Sequence, residues 1–347
     1  MKKKLILMSF SILISLSILE YGSMLIFENQ PNYLKHIFEN QTQKPTWGML
    51  DSKLGWVNKP GDEFIANEGN GKKITNWDNF RRASYFNSNF DTNKNKRILF
   101  FGDSWTSGFG VNDENSFPWL LNDKKNGFYF ENFGTPGYST FQSYLLANRV
   151  LANSKNQPNL VFLGFTPFMS VRDSKMWSST FAGHGSNIIA VRPPFLLKDK
   201  SGKITVSPLW LTETWKLEKS SYFIKMLHFI VVKIYKGIYQ NVIFENQNAK
   251  HNVTTMSLSL EILKLFNKRV SQNGSKFVVV VLTAGYADNW KWLFDKVKNY
   301  NIDLINCSLQ SNIEKKYLNN PGGHPNKKYN MFYSDCINNY LLAKMQK

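Results

Sequence analysis

The chain has 347 residues, 42% hydrophobic and 15% aromatic, enough for one large domain with insertions or two smaller ones. Its net charge of +18 rests on lysines scattered along the chain, which fits a solvated basic surface better than an arm for nucleic acid. Two cysteines, Cys307 and Cys336, exclude a disulfide framework and, without clustered His, a zinc site; pairing with each other and two free buried thiols both stay open.

Met1-Lys2-Lys3-Lys4 precedes an apolar run from Leu5 to Leu19, broken by Glu20 and resuming from Met24 to Phe27. A basic start before such a run is an export signal or a signal anchor. The sequence predicts an uncleaved anchor over residues 1–28, with a cleaved signal peptide as the alternative, because no clean small-x-small site follows. Positive-inside orientation then puts the body outside the cytoplasm, in the periplasm or at the cell surface, anchored to the cytoplasmic membrane. That placement argues against a nucleic-acid partner.

Residues 29–95 read as an N-terminal extension: first a polar stalk, then short strands and loops packed on the main domain. They include Leu54-Gly55-Trp56 and Asn76 to Arg82. Residues 96–347 read as the main domain. Arg97–Phe101 is an apolar strand that stops at Gly102-Asp103-Ser104. Ser116-Phe117-Pro118 starts a helix. Phe128–Phe133 is a second strand, and Ser139 caps a helix carrying Phe141, Tyr144, Leu145 and Leu151. Pro158–Phe165 is a third strand. A helix from about Thr255 to Gln272, ended by Gly274, leads into a fourth strand, Phe277–Leu282. Asn301–Asn306 is a fifth strand, and Met331–Leu342 closes the domain as a helix. Strands alternating with helices predict a parallel, doubly wound α/β sheet.

Between the third and fourth strands, residues of about 170–254 are too many for a loop and read as an inserted subdomain. Its mostly apolar piece, Tyr222–Phe244, carries Lys225, Lys233 and Lys236, which argue against a second span. It reads as an amphipathic helix, packed on the domain or lying on a membrane surface.

Ser104, at the carboxyl end of a strand, stands where α/β folds build their sites. It is a candidate nucleophile, or else part of a polar turn. A nucleophilic serine needs a base. His324, in Pro321-Gly322-Gly323-His324-Pro325-Asn326 between the last strand and the last helix, is placed to reach the same sheet end.

Gly102-Asp103-Ser104-x-Thr106-x-Gly108-x-Gly110-Val111 resembles the first block of the SGNH/GDSL hydrolase superfamily. Asn132-Phe133-Gly134-x-x-Gly137-Tyr138-Ser139 is similar to its second block, and His324-Pro325-Asn326 to the end of its last. The stretches around Leu54-Gly55-Trp56 and Asn76 to Arg81 resemble the lead-in of membrane-anchored bacterial members. The resemblance implies a three-layer α/β/α sandwich on a five-stranded, mainly parallel, flavodoxin-like sheet. It also implies acyl-ester chemistry: Ser104 attacks, His324 moves the proton, and the backbone N–H groups of Ser104 and Gly134 hold the oxyanion. Two parts depart from the pattern. No Asn follows the third strand, where Thr166 or Ser170 are the available donors. Gly322 and Pro321 stand where an Asp usually precedes the His, which leaves a Ser-His dyad.

The expected function is therefore an extracytoplasmic serine esterase or O-acyltransferase on acyl esters of carbohydrate, with a cell-surface polysaccharide as the expected substrate. Asp103, Trp105, Thr166 and Asn326 are candidate substrate-binding residues, with Trp105 suited either to sugar stacking or to the core. The alternatives are a catalytically degenerate glycan-binding or scaffold protein in a polysaccharide-modification or export complex, and a lipid-active esterase. The sequence holds no Walker-type loop, dinucleotide fingerprint or metal-ligand spacing, so no cofactor or metal is expected.

Overall fold

The computed structural model describes residues 2–28, 48–61, 63–66, 71–86, 96–124, 127–174, 179–182, 188–198, 204–206, 210–213, 221–224, 226–227, 230, 251–282, 294–309, 315–319 and 323–345. The expected stalk, most of the Tyr222–Phe244 stretch, and Pro321 and Gly322 lie outside them. The chain forms two compact units. One comprises Met1–Pro45, Thr180–Val191 and Leu211–His251, and the other Thr46–Ser179, Arg192–Trp210 and Asn252–Lys347.

In the first unit the helix Lys2–Glu28 holds Glu20 in its apolar run. The Glu20 carboxylate accepts the Ser221 hydroxyl at 2.7 Å and the backbone N–H groups of Tyr222 and Phe223, the latter at 3.1 Å. An acid in an apolar helix is thus explained: it satisfies the unpaired N–H groups at the start of another helical turn. Among the described residues no helix is long and apolar enough to cross a membrane, so the expected anchor has no support there. The side chains of residues 1–10 lie outside that description.

The second unit carries the sheet. β1 (Gly48–Asp51) and β2 (Gly55–Asn58) pair as a hairpin. β3 (Glu63–Ala66), β4 (Lys72–Trp77), β5 (Arg81–Arg82), β6 (Lys96–Gly102), β7 (Phe128–Asn132) and β8 (Leu160–Phe165) follow. Within the expected insertion, β9 (Ser179–Ala182), β10 (Ile188–Arg192) and β13 (Trp210–Glu213), which fall mostly in the first unit, form a small sheet, and in the second unit β11 (Leu196–Lys198) pairs with β12 (Ile204–Val206). β14 (Lys276–Val281) and β15 (Asp303–Asn306) complete the set.

Five strands run parallel in the spatial order β7-β6-β8-β14-β15. Numbered along the chain this is 2-1-3-4-5, the flavodoxin-like order that the resemblance implies. The sheet does not stop there. Residues 63–82, expected to pack on the domain, extend it to eight strands as β5, β4 and β3, which pair antiparallel beyond β7.

Alternation along each strand builds the layers. Ile98 and Phe100 face a core with Phe117, Phe130, Phe162, Val278 and Val280, closed by Tyr329 and Tyr333 of the final helix Lys327–Met345. Phe101 points the other way, stacks on Phe133 at 5.1 Å and meets Phe266 of the helix His251–Gln272 at 6.1 Å. The helix Thr140–Ala152 starts at a complete capping box, Ser139 with Gln142, worth about 1 kcal/mol. Cys307, just after β15, is disulfide-bonded to Cys336 on the final helix.

Candidate active site

Ser104 opens the one-turn helix Ser104–Ser107 directly after β6. The turn is tight enough to dictate its glycines. Gly102 has φ +153, and a Cβ there would fall 2.0 Å from Thr106 Oγ1. Thr106 instead fills the space between Gly102 and Gly164 and donates to the Gly164 carbonyl at 3.2 Å. Asp103 caps the turn: its Oδ1 accepts the Trp105 N–H at 3.0 Å. Its Oδ2 accepts the Thr166 hydroxyl at 2.8 Å and Arg172 Nη1 at 3.3 Å. Arg172 also donates to the Tyr138 carbonyl at 2.9 Å, so it ties the Ser104 turn to the loop after Gly134.

The far end of the turn is held by Arg82, a residue the sequence reading passed over. It is 1% exposed. Nε donates to Asp113 Oδ1 at 3.0 Å and Nη2 to the Val111 carbonyl at 2.7 Å. Nη1 donates to the carbonyls of Ser107 and Gly108. Burial lowers its pKa while the Asp113 carboxylate opposes the shift, and a guanidinium keeps its charge under such conditions. The only signal in the sequence is the Arg81-Arg82 pair in the lead-in stretch.

His324 reaches Ser104 from the loop before the final helix, with Nε2 at 2.7 Å from Oγ. Cross-links shape that loop. Leu318 bridges to Pro325, the Asn319 N–H donates to the His324 carbonyl at 2.9 Å, and the Asn326 N–H donates to the Tyr317 carbonyl at 2.8 Å. Asn319 Nδ2 donates to the Gly110 carbonyl at 2.8 Å, joining the histidine loop to the serine block. A Cβ on Gly110 would lie 2.2 Å from Asn319 Nδ2 and 2.9 Å from His324 Cβ. A bare glycine there is what lets the two blocks meet. The Phe109 ring flanks the imidazole with centroids 5.2 Å apart.

Gly134 has a packing reason of its own, since a Cβ would fall 2.3 Å from the Ser107 nitrogen. Its N–H, expected to hold an oxyanion, donates to Asn132 Oδ1 at 3.0 Å. The lead-in strand β2 docks on this loop. Trp56 Nε1 donates to the Pro136 carbonyl at 2.9 Å, the Tyr138 hydroxyl to the Trp56 carbonyl at 2.6 Å, and Asn58 Nδ2 to the Gly134 carbonyl at 3.0 Å.

The structure therefore brings Ser104, His324 and Gly134 together and gives the other candidates different work. Trp105 is buried, edge-on to Tyr329 at 6.0 Å, as part of the core rather than a sugar platform. Thr166 is buried and committed to Asp103, and Ser170 shares a 2.6 Å hydrogen bond with Ser259, so neither replaces the missing asparagine in this state. Asn326 caps the final helix, its Oδ1 accepting the Tyr329 N–H at 3.2 Å. Among the described residues no group of three or more His, Cys, Asp or Glu is placed to hold a metal ion.

No protein-family model matches the chain, and no curated protein matches it in sequence. Among solved structures it is similar to the psychrotrophic esterase EstA from Pseudoalteromonas sp., at 12% identity, covering 73% of this chain and 100% of that one with a TM-score of 0.43. It is similar to the acetyl xylan esterase Est2A from Butyrivibrio proteoclasticus at 11% identity, covering 80% and 67% with a TM-score of 0.41. A lipolytic protein of the G-D-S-L family from Veillonella parvula matches at 10% identity over 70% and 95%, with a TM-score of 0.38. The fold is a flavodoxin-like α/β/α one, and the three sequence blocks that resemble those of the SGNH/GDSL hydrolase superfamily converge on Ser104.

Proposed function

We propose that the chain is a serine esterase or O-acyltransferase that acts on acyl esters of carbohydrate outside the cytoplasm. The observation that carries this reading is the 2.7 Å contact between His324 Nε2 and Ser104 Oγ at the carboxyl end of β6. Ser104 Oγ attacks the ester carbonyl carbon and forms the acyl-oxygen bond, while its proton passes to His324 Nε2. Collapse of the tetrahedral intermediate breaks the bond to the sugar oxygen, which takes that proton and leaves as the alcohol. Water or a second sugar hydroxyl then attacks the acyl-enzyme by the same route, giving hydrolysis or transfer.

The Ser104 N–H, in the first turn of its helix, has no intrahelical acceptor and serves the oxyanion. The Gly134 N–H joins it by exchanging Asn132 Oδ1 for the substrate oxygen. Loss of one such donor costs about 10²–10³ in turnover, so a site without the usual asparagine is a slow one. The disulfide between Cys307 and Cys336 supports an oxidising compartment. Exposed Leu13, Ile18 and Leu19 on the N-terminal helix support contact with a membrane surface, which needs no spanning helix.

The second reading, a degenerate glycan-binding or scaffold protein, is favoured by the commitment of Thr166 to Asp103 and of Ser170 to Ser259. Release of nitrophenol from p-nitrophenyl acetate separates the two. The catalytic reading expects a burst that Ser104→Ala and His324→Ala abolish. Equal release from wild type and both variants sinks it.

A further inference from the structure

Away from the serine, one cavity of the larger unit gathers arginines. A cavity of about 500 Å³ lies along β7, bordered by Phe80 and Arg81 on one side and by the end of the helix Thr140–Ala152 on the other. Its lining holds four cations, Arg81, Arg97, Arg149 and Lys155, and one acid, Glu131. Glu131 is 4% exposed and divides its oxygens: Oε2 accepts Arg81 Nη1 at 2.9 Å and Oε1 accepts Arg97 Nε. Arg149 is held two-pronged by Asp51 at 2.6 and 2.8 Å. With Asp51 counted, four positive charges meet two negative ones, an excess of two.

The rim is built with equal care. Asn79 and Phe80 take φ of 61° and 66°, a left-handed conformation that a bulky residue such as Phe rarely adopts. Asn58 Nδ2 holds that turn, donating to the Phe80 carbonyl at 3.1 Å as well as to the Gly134 carbonyl. The cavity is thereby fastened to the same turn that serves the Ser104 site, and Phe133, adjacent to Gly134 in the chain, lines it.

We propose that this cavity is a subsite for a carboxylated sugar of the uronic-acid type. Guanidinium groups match a carboxylate in shape and charge. The side chains of Asn79 and Asn156 supply donors and acceptors for hydroxyl groups, and the half-buried Phe80 offers a ring face for the apolar side of a sugar. Tyr129 keeps its proton, since burial, followed by the Glu131 charge, pushes its pKa up to about 12, and its oxygen accepts Arg81 Nη1 at 3.3 Å. A free phosphate would match the charge but would leave the amides and the Phe80 ring unused. The choice of a sugar rests on the carbohydrate reading of the Ser104 site; the binding itself does not require Ser104 to react.

The experiment is calorimetric titration of the full chain carrying Ser104→Ala with glucuronate, glucose and inorganic phosphate. The expected result is saturable glucuronate binding, roughly tenfold tighter than either comparison ligand. Lys155→Glu, at an exposed rim position, is expected to weaken it by about fivefold or more without lowering the melting temperature. Absence of saturable glucuronate binding, equal binding of glucose, tighter binding of phosphate, or unchanged affinity in Lys155→Glu would each overturn the proposal. Because the nucleophile is absent throughout, such a failure leaves the esterase reading standing, and failure of the nitrophenyl ester burst leaves this result standing.

Discussion

Replacing Arg82 with Met tests how the serine turn is held. Arg82 is 1% exposed and its guanidinium satisfies the Asp113 carboxylate and the carbonyls of Ser107, Gly108 and Val111. Methionine preserves much of the stem but strands these acceptors. Asp113 keeps its contacts from the Thr75 N–H, at 3.0 and 3.1 Å, yet loses its counter-charge. Breaking one side of a buried ion pair costs about 3–5 kcal/mol. The double variant Arg82→Met with Asp113→Asn removes the stranded charge and is expected to recover about 1–2 kcal/mol of that loss. Urea unfolding monitored by tryptophan fluorescence reads both quantities as midpoint shifts at constant slope. Reaction of Ser104 with an organophosphonate, followed by intact mass, is expected to slow in the single variant under conditions where it remains folded. A loss below about 1 kcal/mol with an unchanged phosphonylation rate would refute the idea that Arg82 positions the turn.

Three further outcomes are expected. Asp173 is buried, accepts the Phe141 N–H at 2.9 Å and the Ser259 hydroxyl at 3.1 Å, and has its pKa raised by burial from 3.8 to about 7. The folded state therefore holds a proton that the unfolded state has released, so stability should fall by on the order of 4 kcal/mol between about pH 4 and pH 7. Asp173→Asn should remove most of that slope in pH-dependent urea titrations, and an identical slope in the variant would contradict the burial argument. Gly110→Ala places a methyl group against Asn319 and His324 and should slow phosphonylation about a hundredfold or more while costing under about 3 kcal/mol of stability; an unchanged rate would show that the histidine loop does not depend on that approach. Reduction of the Cys307–Cys336 bond, which closes a 29-residue separation, should lower the unfolding free energy by about 3–4 kcal/mol, and no shift in the urea midpoint would count against it as a staple of the final helix.

The parallel strands and their flanking helices were legible because each is written in local chemistry. Apolar runs end at glycines, Ser139 announces a cap, and Gly274 takes φ +74 at the end of its helix. The serine, the glycine of the second block and the histidine were legible as blocks, because close approach of backbones demands glycine at Gly102, Gly110 and Gly134. The edge strands β3 to β5 were harder, since their short runs mix Lys, Asn and Arg on a surface half in solvent. Thr166, Asn326 and Trp105 show that nearness to a site in sequence does not say which way a side chain points. Thr166 turns to Asp103, Asn326 to the final helix and Trp105 to Tyr329. Beyond the Arg81-Arg82 pair, Arg82 and the cavity arginines carry no local signature, because their partners Asp113, Glu131 and Asp51 lie tens of residues away in the chain.

The most direct test of the central claim is peptide mapping after treatment of the folded chain with a fluorophosphonate probe. The arrangement of Ser104 with His324 Nε2 at 2.7 Å predicts a single adduct on Ser104, lost in Ser104→Ala and strongly slowed in His324→Ala. A folded wild-type chain that takes up no probe, or one labelled equally well in the His324→Ala variant, would contradict it.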